Sequence, residues 1–166
     1  MVKKIFWKGF LVGCLAFLFV AALGYYKLVK SPDIALAQLE LQDLEGNMVE
    51  MADFDEKPLV VNYWATWCRP CLEEFPYFEE VKQRFGDDIH FVMISDEPIE
   101  KIGKFTATNP YSFHFLKSSK KLAEYGINEM TAIPTTYFYD ISGNLIAKHT
   151  SALNVERLIE LINGIH

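Results

Sequence analysis

Cysteine is scarce in this sequence, with three residues among 166. Cys14 lies within an apolar run, which leaves Cys68 and Cys71 as one close pair. A disulfide-rich scaffold would need several pairs and is excluded. The four histidines are scattered, so the cysteine pair also lacks the partners of a structural zinc site. We therefore expect no metal and no other cofactor.

Charge is absent from the eighteen residues Gly9–Tyr26. A helix of this length would be about 27 Å long, close to the hydrocarbon thickness of a bilayer. We predict a signal-anchor or transmembrane segment over residues 1–30, a linker over 31–36 and a folded domain over 37–166. Three lysines precede the span and two follow it, which favours a cytoplasmic N-terminus and an extracytoplasmic domain in the cytoplasmic membrane.

Three other interpretations of this segment were weighed. A cleaved signal peptide would have a shorter apolar core, and the small-residue pattern at Ala35–Ala37 lies well past the apolar run. A lipoprotein with Cys14 at its processing site would need a longer apolar stretch before that cysteine. A buried core helix would not be apolar on all sides over this length.

The charge of the chain is unevenly distributed. The net charge is −6, while residues 1–30 contain five lysines and no acidic residue, so the remainder carries −11. A domain this acidic binds polyanions poorly. Nucleic acid is therefore excluded as a partner.

Residues 37–166 contain apolar runs of strand length that alternate with segments of helical periodicity. Two alternating stretches around Glu45–Asn47 indicate a hairpin. The predicted strands are 59–64, 89–94, 113–116, 134–139 and 145–148. The predicted helices are 68–84, 98–107, 119–125 and one that Asn154 caps. This order indicates an α/β sandwich with a mixed central sheet.

A cysteine pair separated by two residues can act without further partners. One thiolate attacks a substrate disulfide and the second thiol resolves the mixed disulfide. Cys68 opens a predicted helix, whose N-terminal N–H groups lower the pKa of a thiol, and Arg69 adds a cation beside it. Cys68 is thus the expected nucleophile and Cys71 the resolving thiol. A purely structural disulfide is the alternative, although so short a loop constrains the unfolded chain little.

The stretch VVNYWATWCRPCLEEFP, residues 60–76, resembles the thioredoxin superfamily, and within it the TlpA/ResA-type membrane-anchored thiol–disulfide oxidoreductases. Residues 133–138 resemble the cis-proline strand of that family, and residues 43–46 its N-terminal hairpin extension. The resemblance covers residues 36–164 and implies a thioredoxin-like sandwich.

The resemblance also implies roles for individual residues. Ile133 and Pro134 would present backbone to an extended substrate, and Trp67 would contribute contact surface. Glu74 would exchange a proton with Cys71, unless it is a solvated acid of the first helical turn. Where thioredoxins have a buried aspartate, this chain has Asn62, which does not titrate.

The expected activity is reduction of disulfides in extracytoplasmic proteins, with recharging by a thiol–disulfide donor in the membrane. The resemblance suggests cytochrome c maturation, with apocytochrome c as substrate. A peroxiredoxin-like peroxidase is one alternative, but the sequence lacks the upstream proline of that motif. A non-catalytic thioredoxin-like binding or assembly module is another. Arg69 would make the pair more oxidising, whereas the family habit is reduction, and we follow the family.

Overall fold

The structure is a computed structural model that describes residues 39–54, 56–121 and 133–165. All of these belong to the second of two compact units, Ile34–His166. No helix within these described ranges is long and apolar enough to cross a membrane. The predicted transmembrane segment 1–30 and the linker 31–36 lie outside the described residues and stay predictions.

The N-terminal hairpin is present, with shorter strands than the alternating sequence indicates. β1 (Leu41–Gln42) pairs antiparallel with β2 (Met48–Val49). The Asp43 carboxylate accepts hydrogen bonds from the main-chain and side-chain N–H groups of Asn47, at 2.8 Å each. Gly46 closes the turn at φ +89°, a conformation that glycine adopts without steric cost.

The centre of the sheet consists of parallel strands linked by helices. Its elements are β3 (Leu59–Tyr63), α1 (Arg69–Phe85), β4 (His90–Ser95), α2 (Ile99–Thr108) and β5 (His114–Ser118). β4 lies between β3 and β5 and is parallel to both. All five residues of β3 are buried, Asn62 among them, as predicted for a strand covered on both faces.

The C-terminal part of the chain adds an antiparallel hairpin and a helix: β6 (Thr135–Tyr139), β7 (Leu145–Thr150) and α3 (Val155–Asn163). β6 pairs antiparallel with β3, which gives the mixed order β2-β1-β5-β4-β3-β6-β7. The side chain of Asn154 caps α3 by accepting a hydrogen bond from the N–H of Arg157 at 2.9 Å. The thioredoxin-like α/β fold with a mixed sheet is confirmed.

Alternate residues of β3 face two separate hydrophobic clusters. Val60 and Trp64 belong to a cluster that includes residues of all three described helices. Leu59, Val61 and Tyr63 belong to the other, which residues of the N-terminal hairpin region complete. Asn62 shares the face of Val60 and Trp64 because side chains alternate along a strand, so it points toward the helices.

One predicted helix is not seen where its first residues are described. Ser119–Lys121 are not helical. The rest of the predicted segment 119–125 lies outside the described residues.

Candidate active site: the Cys68–Cys71 disulfide

The two cysteines of the domain form a disulfide at the start of α1, with their Cα atoms 5.3 Å apart. Cys68 is the N-cap of this helix, and its Sγ accepts a hydrogen bond from the N–H of Cys71 at 3.3 Å. The helix therefore begins one residue later than predicted, and Cys68 faces its N-terminal N–H groups. Cys68 is 4% exposed and Cys71 is 0% exposed, so Cys68 is the more accessible cysteine of the pair.

The residues on either side of Cys68 are turned to solvent. Trp67 is 71% exposed, which is unusual for so large an apolar side chain. Arg69 also lies on the surface, where its Nε donates to the Glu73 carboxylate at 2.7 Å. An exposed pair of this kind contributes little to stability. Trp67 thus offers exposed apolar surface next to Cys68 in the chain, whereas Arg69 is engaged with a carboxylate.

Glu97 fixes the loop that leads into the cysteines, and the sequence analysis did not single it out. Its carboxylate accepts from the N–H of Thr66 at 2.5 Å and from the Thr66 hydroxyl at 3.0 Å. Glu97 follows the end of β4, and Thr66 follows β3, its parallel neighbour. Because adjacent parallel strands end at the same edge of the sheet, the positions of Thr66 and Glu97 just after two predicted strands could have indicated this contact.

Glu74 lies one helical turn below Cys71 and is fully buried. Its Oε1 accepts a hydrogen bond from Asn62 Nδ2 at 2.8 Å, and its Oε2 accepts one from the N–H of Leu153 at 2.9 Å. Asn62 Nδ2 also donates to the Thr136 hydroxyl at 3.0 Å. The network joins α1, β3, β6 and the segment before α3. The interpretation of Glu74 as a solvated acid is wrong; its exposed neighbour Glu73 fits that description.

Burial changes the acidity of this carboxyl group. Removal from water raises the pKa of Glu74 to about 7, although the hydrogen bonds from Leu153 and Asn62 act in the opposite direction. A carboxyl group with a pKa near neutrality can take up and release a proton under ordinary conditions. The sequence predicted that this residue could exchange a proton, but it did not predict the partners.

The proline loop lies at the same edge of the sheet as the cysteines. The Ile133–Pro134 peptide bond is cis. The next residue, Thr135, pairs with Tyr63 at the end of β3. Ile133 packs against the hydrophobic cluster that contains both cysteines. The predicted substrate-binding residues are therefore brought to the disulfide, while their role in binding stays a prediction.

Two of the histidines that are scattered in sequence lie side by side in the fold. The rings of His90 and His114 have centroids 5.7 Å apart, and both rings pack edge-on against Phe54. Desolvation lowers the pKa of each. His90 and His114 are the first residues of β4 and β5, at the opposite end of the sheet from the cysteines. Within residues 39–54, 56–121 and 133–165, no cluster of three or more acidic, histidine or cysteine side chains could hold a metal ion.

With this geometry, comparison with known proteins is informative. The model of the AhpC/TSA family matches residues 32–148, about seven-tenths of the chain. The chain belongs to the AhpC/TSA family. This chain is 26% identical over 164 residues to the thioredoxin-like protein YneN of Bacillus subtilis, and the match covers 91% of this chain and 95% of that one. It is 26% identical over 161 residues to the thiol–disulfide oxidoreductase ResA of Bacillus thuringiensis, covering 93% and 91%.

A solved structure supports the same assignment of fold. The crystal structure of a DsbF homologue from Corynebacterium diphtheriae superposes with a TM-score of 0.63 at 25% identity, covering 75% of this chain and 84% of that one. Together with the Cys68–Cys71 pair at the start of α1, these relatives identify the AhpC/TSA member as a thioredoxin-like thiol–disulfide oxidoreductase.

The raised pKa of Glu74 predicts a specific pH dependence of stability. Between its unfolded pKa of 4.5 and its folded pKa of about 7, the folded state holds the proton more tightly, so stability falls as pH rises. Replacing Glu74 by Gln removes this effect. Denaturant unfolding of the oxidised proteins should show Glu74→Gln gaining about 3 kcal/mol over the natural protein from about pH 4 to pH 8.

Glu73→Gln is the matched control, since it removes one exposed carboxylate from the same helical turn and should show no such pH-dependent gain. Parallel pH profiles for Glu74→Gln and the natural protein would contradict a Glu74 pKa near 7.

Proposed function

We propose that this oxidoreductase reduces disulfides in extracytoplasmic proteins, with Cys68 as the nucleophile, Cys71 as the resolving thiol and Glu74 as the proton acceptor. The observation that carries the proposal is the order of depth at the start of α1. Cys68 is 4% exposed, Cys71 is fully buried, and the buried Glu74 lies one turn further along the helix.

The first step is attack by the Cys68 thiolate on one sulfur of a substrate disulfide. The substrate S–S bond breaks, a mixed disulfide forms between Cys68 and the substrate, and the other substrate sulfur leaves as a thiolate. The N-terminal position on α1 favours the attacking thiolate, since the Cys71 N–H already donates to Cys68 Sγ. Trp67, exposed beside this sulfur, supplies the apolar surface that the substrate contacts.

The second step needs a proton acceptor in the interior. Cys71 is fully buried, so its thiol must lose a proton to a neighbouring group before its sulfur attacks Cys68. Glu74 shares its helix face, three residues away, and has a pKa of about 7. As the Cys68–Cys71 bond forms, the second substrate sulfur leaves as a thiolate. Two electrons have passed to the substrate, and Glu74 releases its proton to the departing thiolate or to water.

The cis-proline loop would hold the substrate as an extended strand beside the sulfur. Main-chain pairing of this kind gives affinity with little side-chain selectivity. Ile133 and Pro134 are positioned for it because β6 pairs with β3, the strand that leads into the cysteine loop. This arrangement suits an enzyme that acts on several protein partners.

We place the domain on the outer side of the cytoplasmic membrane, with residues 1–30 as its single-pass anchor. The apolar run Gly9–Tyr26 and its flanking lysines support this placement. A thiol–disulfide donor in the membrane would return the pair to the dithiol state. The process we propose is cytochrome c maturation, with apocytochrome c as the substrate, as the resemblance of residues 60–76 to the TlpA/ResA type implies.

Peroxide reduction is the nearest alternative activity, since the family also bears the AhpC/TSA description. The local sequence argues against it, because no proline precedes Thr66 in the spacing of the peroxiredoxin motif. Sustained peroxide consumption by the purified protein with a thiol reductant would favour this alternative over the proposal.

Glu74 should affect the second step and not the first. Replacing it by Gln removes the proton acceptor, so resolution of a preformed mixed disulfide should slow by about 100-fold, within the usual range for general base catalysis. The first attack by Cys68 should change by less than about threefold, because that sulfur is activated by the helix terminus. Stopped-flow measurement of the two phases separates these rates.

Glu73→Gln again provides the control and should leave both phases unchanged. Equal rates of resolution in Glu74→Gln and the natural protein would remove Glu74 from the mechanism without affecting the assignment of the cysteines.

The direction of electron flow can be measured by equilibrating the pair with glutathione. A reductant should have a potential well below that of the glutathione pool, so the disulfide should persist until glutathione is in large excess. The pairing of Arg69 with Glu73 limits the stabilisation that Arg69 gives to a thiolate. A potential near that of a strong oxidant, about −120 mV, would contradict the reductant assignment.

Substrates and location can be tested together in whole cells. Cys71→Ser leaves Cys68 able to attack but unable to be released, so mixed disulfides should accumulate with extracytoplasmic proteins and be separable by mass spectrometry. A thiol reagent that does not cross the membrane should prevent their formation. Cys68→Ser is the control and should trap nothing; adducts confined to cytoplasmic proteins would contradict the proposed location.

A further inference from the structure

The amide oxygen of Asn62 is buried and accepts no hydrogen bond among the described residues. Asn62 itself is fully buried on β3, while its amide nitrogen makes two hydrogen bonds, to Glu74 Oε1 and to the Thr136 hydroxyl. A buried acceptor without a partner is destabilising, because the hydrogen bond it would make to water in the unfolded chain is not replaced. Rotation of the amide by half a turn would place the oxygen where the nitrogen now lies, and the nitrogen where the oxygen now lacks a partner.

The hydrogen bonds of Glu74 suit its ionised form. Oε1 faces the N–H group of Asn62 and Oε2 faces the N–H of Leu153, so both oxygens face donors. A proton placed on either oxygen in the direction of its present hydrogen bond would bring two donors together. The N–H of Leu153 belongs to the main chain and cannot turn. The side-chain amide of Asn62 can, because rotation about its last torsion interconverts two shapes of nearly equal size.

We propose that Asn62 is a positioning residue for the proton on Glu74, and that its amide turns by half a turn whenever Glu74 gains or loses that proton. With Glu74 ionised, Asn62 Nδ2 donates to Oε1, as the structure shows. With Glu74 protonated, Oε1 carries the hydrogen and donates it to Asn62 Oδ1. The Thr136 hydroxyl, which accepts from Nδ2 in the first state, donates to Oδ1 in the second.

This device leaves one buried amide atom without a partner in either state, first Oδ1 and then Nδ2. Asn62 therefore gives each form of Glu74 a hydrogen-bond partner, and the stronger, charge-assisted bond goes to the ionised form. An aspartate at this position would itself hold charge or a proton. Asn62 serves both states of Glu74 without binding a proton of its own.

Titratable groups on the surrounding elements could also influence the proton. The hydrogen bonds of the network come from Asn62 on β3, Thr136 on β6 and the main chain of Leu153, while Cys71, which titrates only when reduced, lies one turn before Glu74 on α1. His149 of β7 pairs with Thr136 across the sheet, and desolvation lowers the pKa of its imidazole. The charged residues of the first turns of these helices, Arg69, Glu73, Glu156 and Arg157, are exposed.

The inference rests on the proposed role of Glu74, but its test does not use activity. The oxidised full-length protein, labelled with ¹⁵N and with ¹³C at glutamate carboxyl groups, is followed by NMR from about pH 5 to pH 9. The side-chain NH₂ resonances of Asn62 should shift with the same midpoint as the Glu74 carboxyl carbon, near pH 7. In Glu74→Gln they should stay constant with pH, since the Gln amide can donate permanently to Asn62 Oδ1.

Asn109 is an internal control, because its Nδ2 donates to the Phe105 carbonyl and to no carboxylate. Its resonances should not titrate near pH 7. Asn62→Leu removes the donor that favours ionised Glu74, so the midpoint of Glu74 should rise above that of the natural protein.

Asn62 resonances that stay fixed while Glu74 titrates would overturn the amide rotation and leave the proton role of Glu74 intact. An unchanged Glu74 midpoint in a folded Asn62→Leu variant would also contradict it. Slow resolution in Glu74→Gln together with these results would therefore distinguish failure of the inference from failure of the proposed function.

Discussion

A carboxylate buried in the hydrophobic interior is the constraint around which this domain is arranged. Glu74 is cut off from water, and a buried charge is costly unless it is hydrogen-bonded. Its partners come from β3, from the segment before α3 and, through Asn62, from β6. The mixed sheet brings these elements together because β6 lies against β3. The antiparallel hairpin at the C-terminal side of the sheet thus completes the surroundings of the acid as well as the sheet.

The disulfide and Glu74 lie one after the other along the first turns of α1. The helix begins at the sulfur that a partner can reach and continues through a buried sulfur to the buried carboxyl group. Before the helix begins, the carboxylate of Glu97, just after β4, accepts two hydrogen bonds from Thr66, just after β3. The loop that carries Trp67 and Cys68 is therefore anchored to the sheet. α1 and β3 therefore position the buried groups of the site, and Glu97 anchors the loop that precedes them.

Much of the fold could be predicted from the sequence, since the strands are short apolar runs and α1 has a clear helical periodicity. The sequence also indicated the cysteine pair, Glu74 and Asn62 as residues of interest. It did not indicate that Asn62 and Glu74 share a hydrogen bond, because that contact depends on how the helix lies over the strand. The contribution of Leu153 could not be foreseen at all, because every residue except proline has a main-chain N–H. The contact of Glu97 with Thr66 joins residues 31 positions apart and depends on β3 and β4 lying side by side, which local periodicity does not show.

The unequal burial of Cys68 and Cys71 affects which cysteine a partner protein becomes attached to. A protein that approaches the domain meets Cys68 and cannot meet Cys71, which is fully covered. In the proposed mechanism every mixed disulfide therefore has the same connectivity, with the Cys71 thiol on the inner side of the bond. A mixed disulfide through Cys71 would have no inner thiol placed to release the partner. The burial of Cys71 thus keeps a thiol in place to release each partner that becomes attached to Cys68.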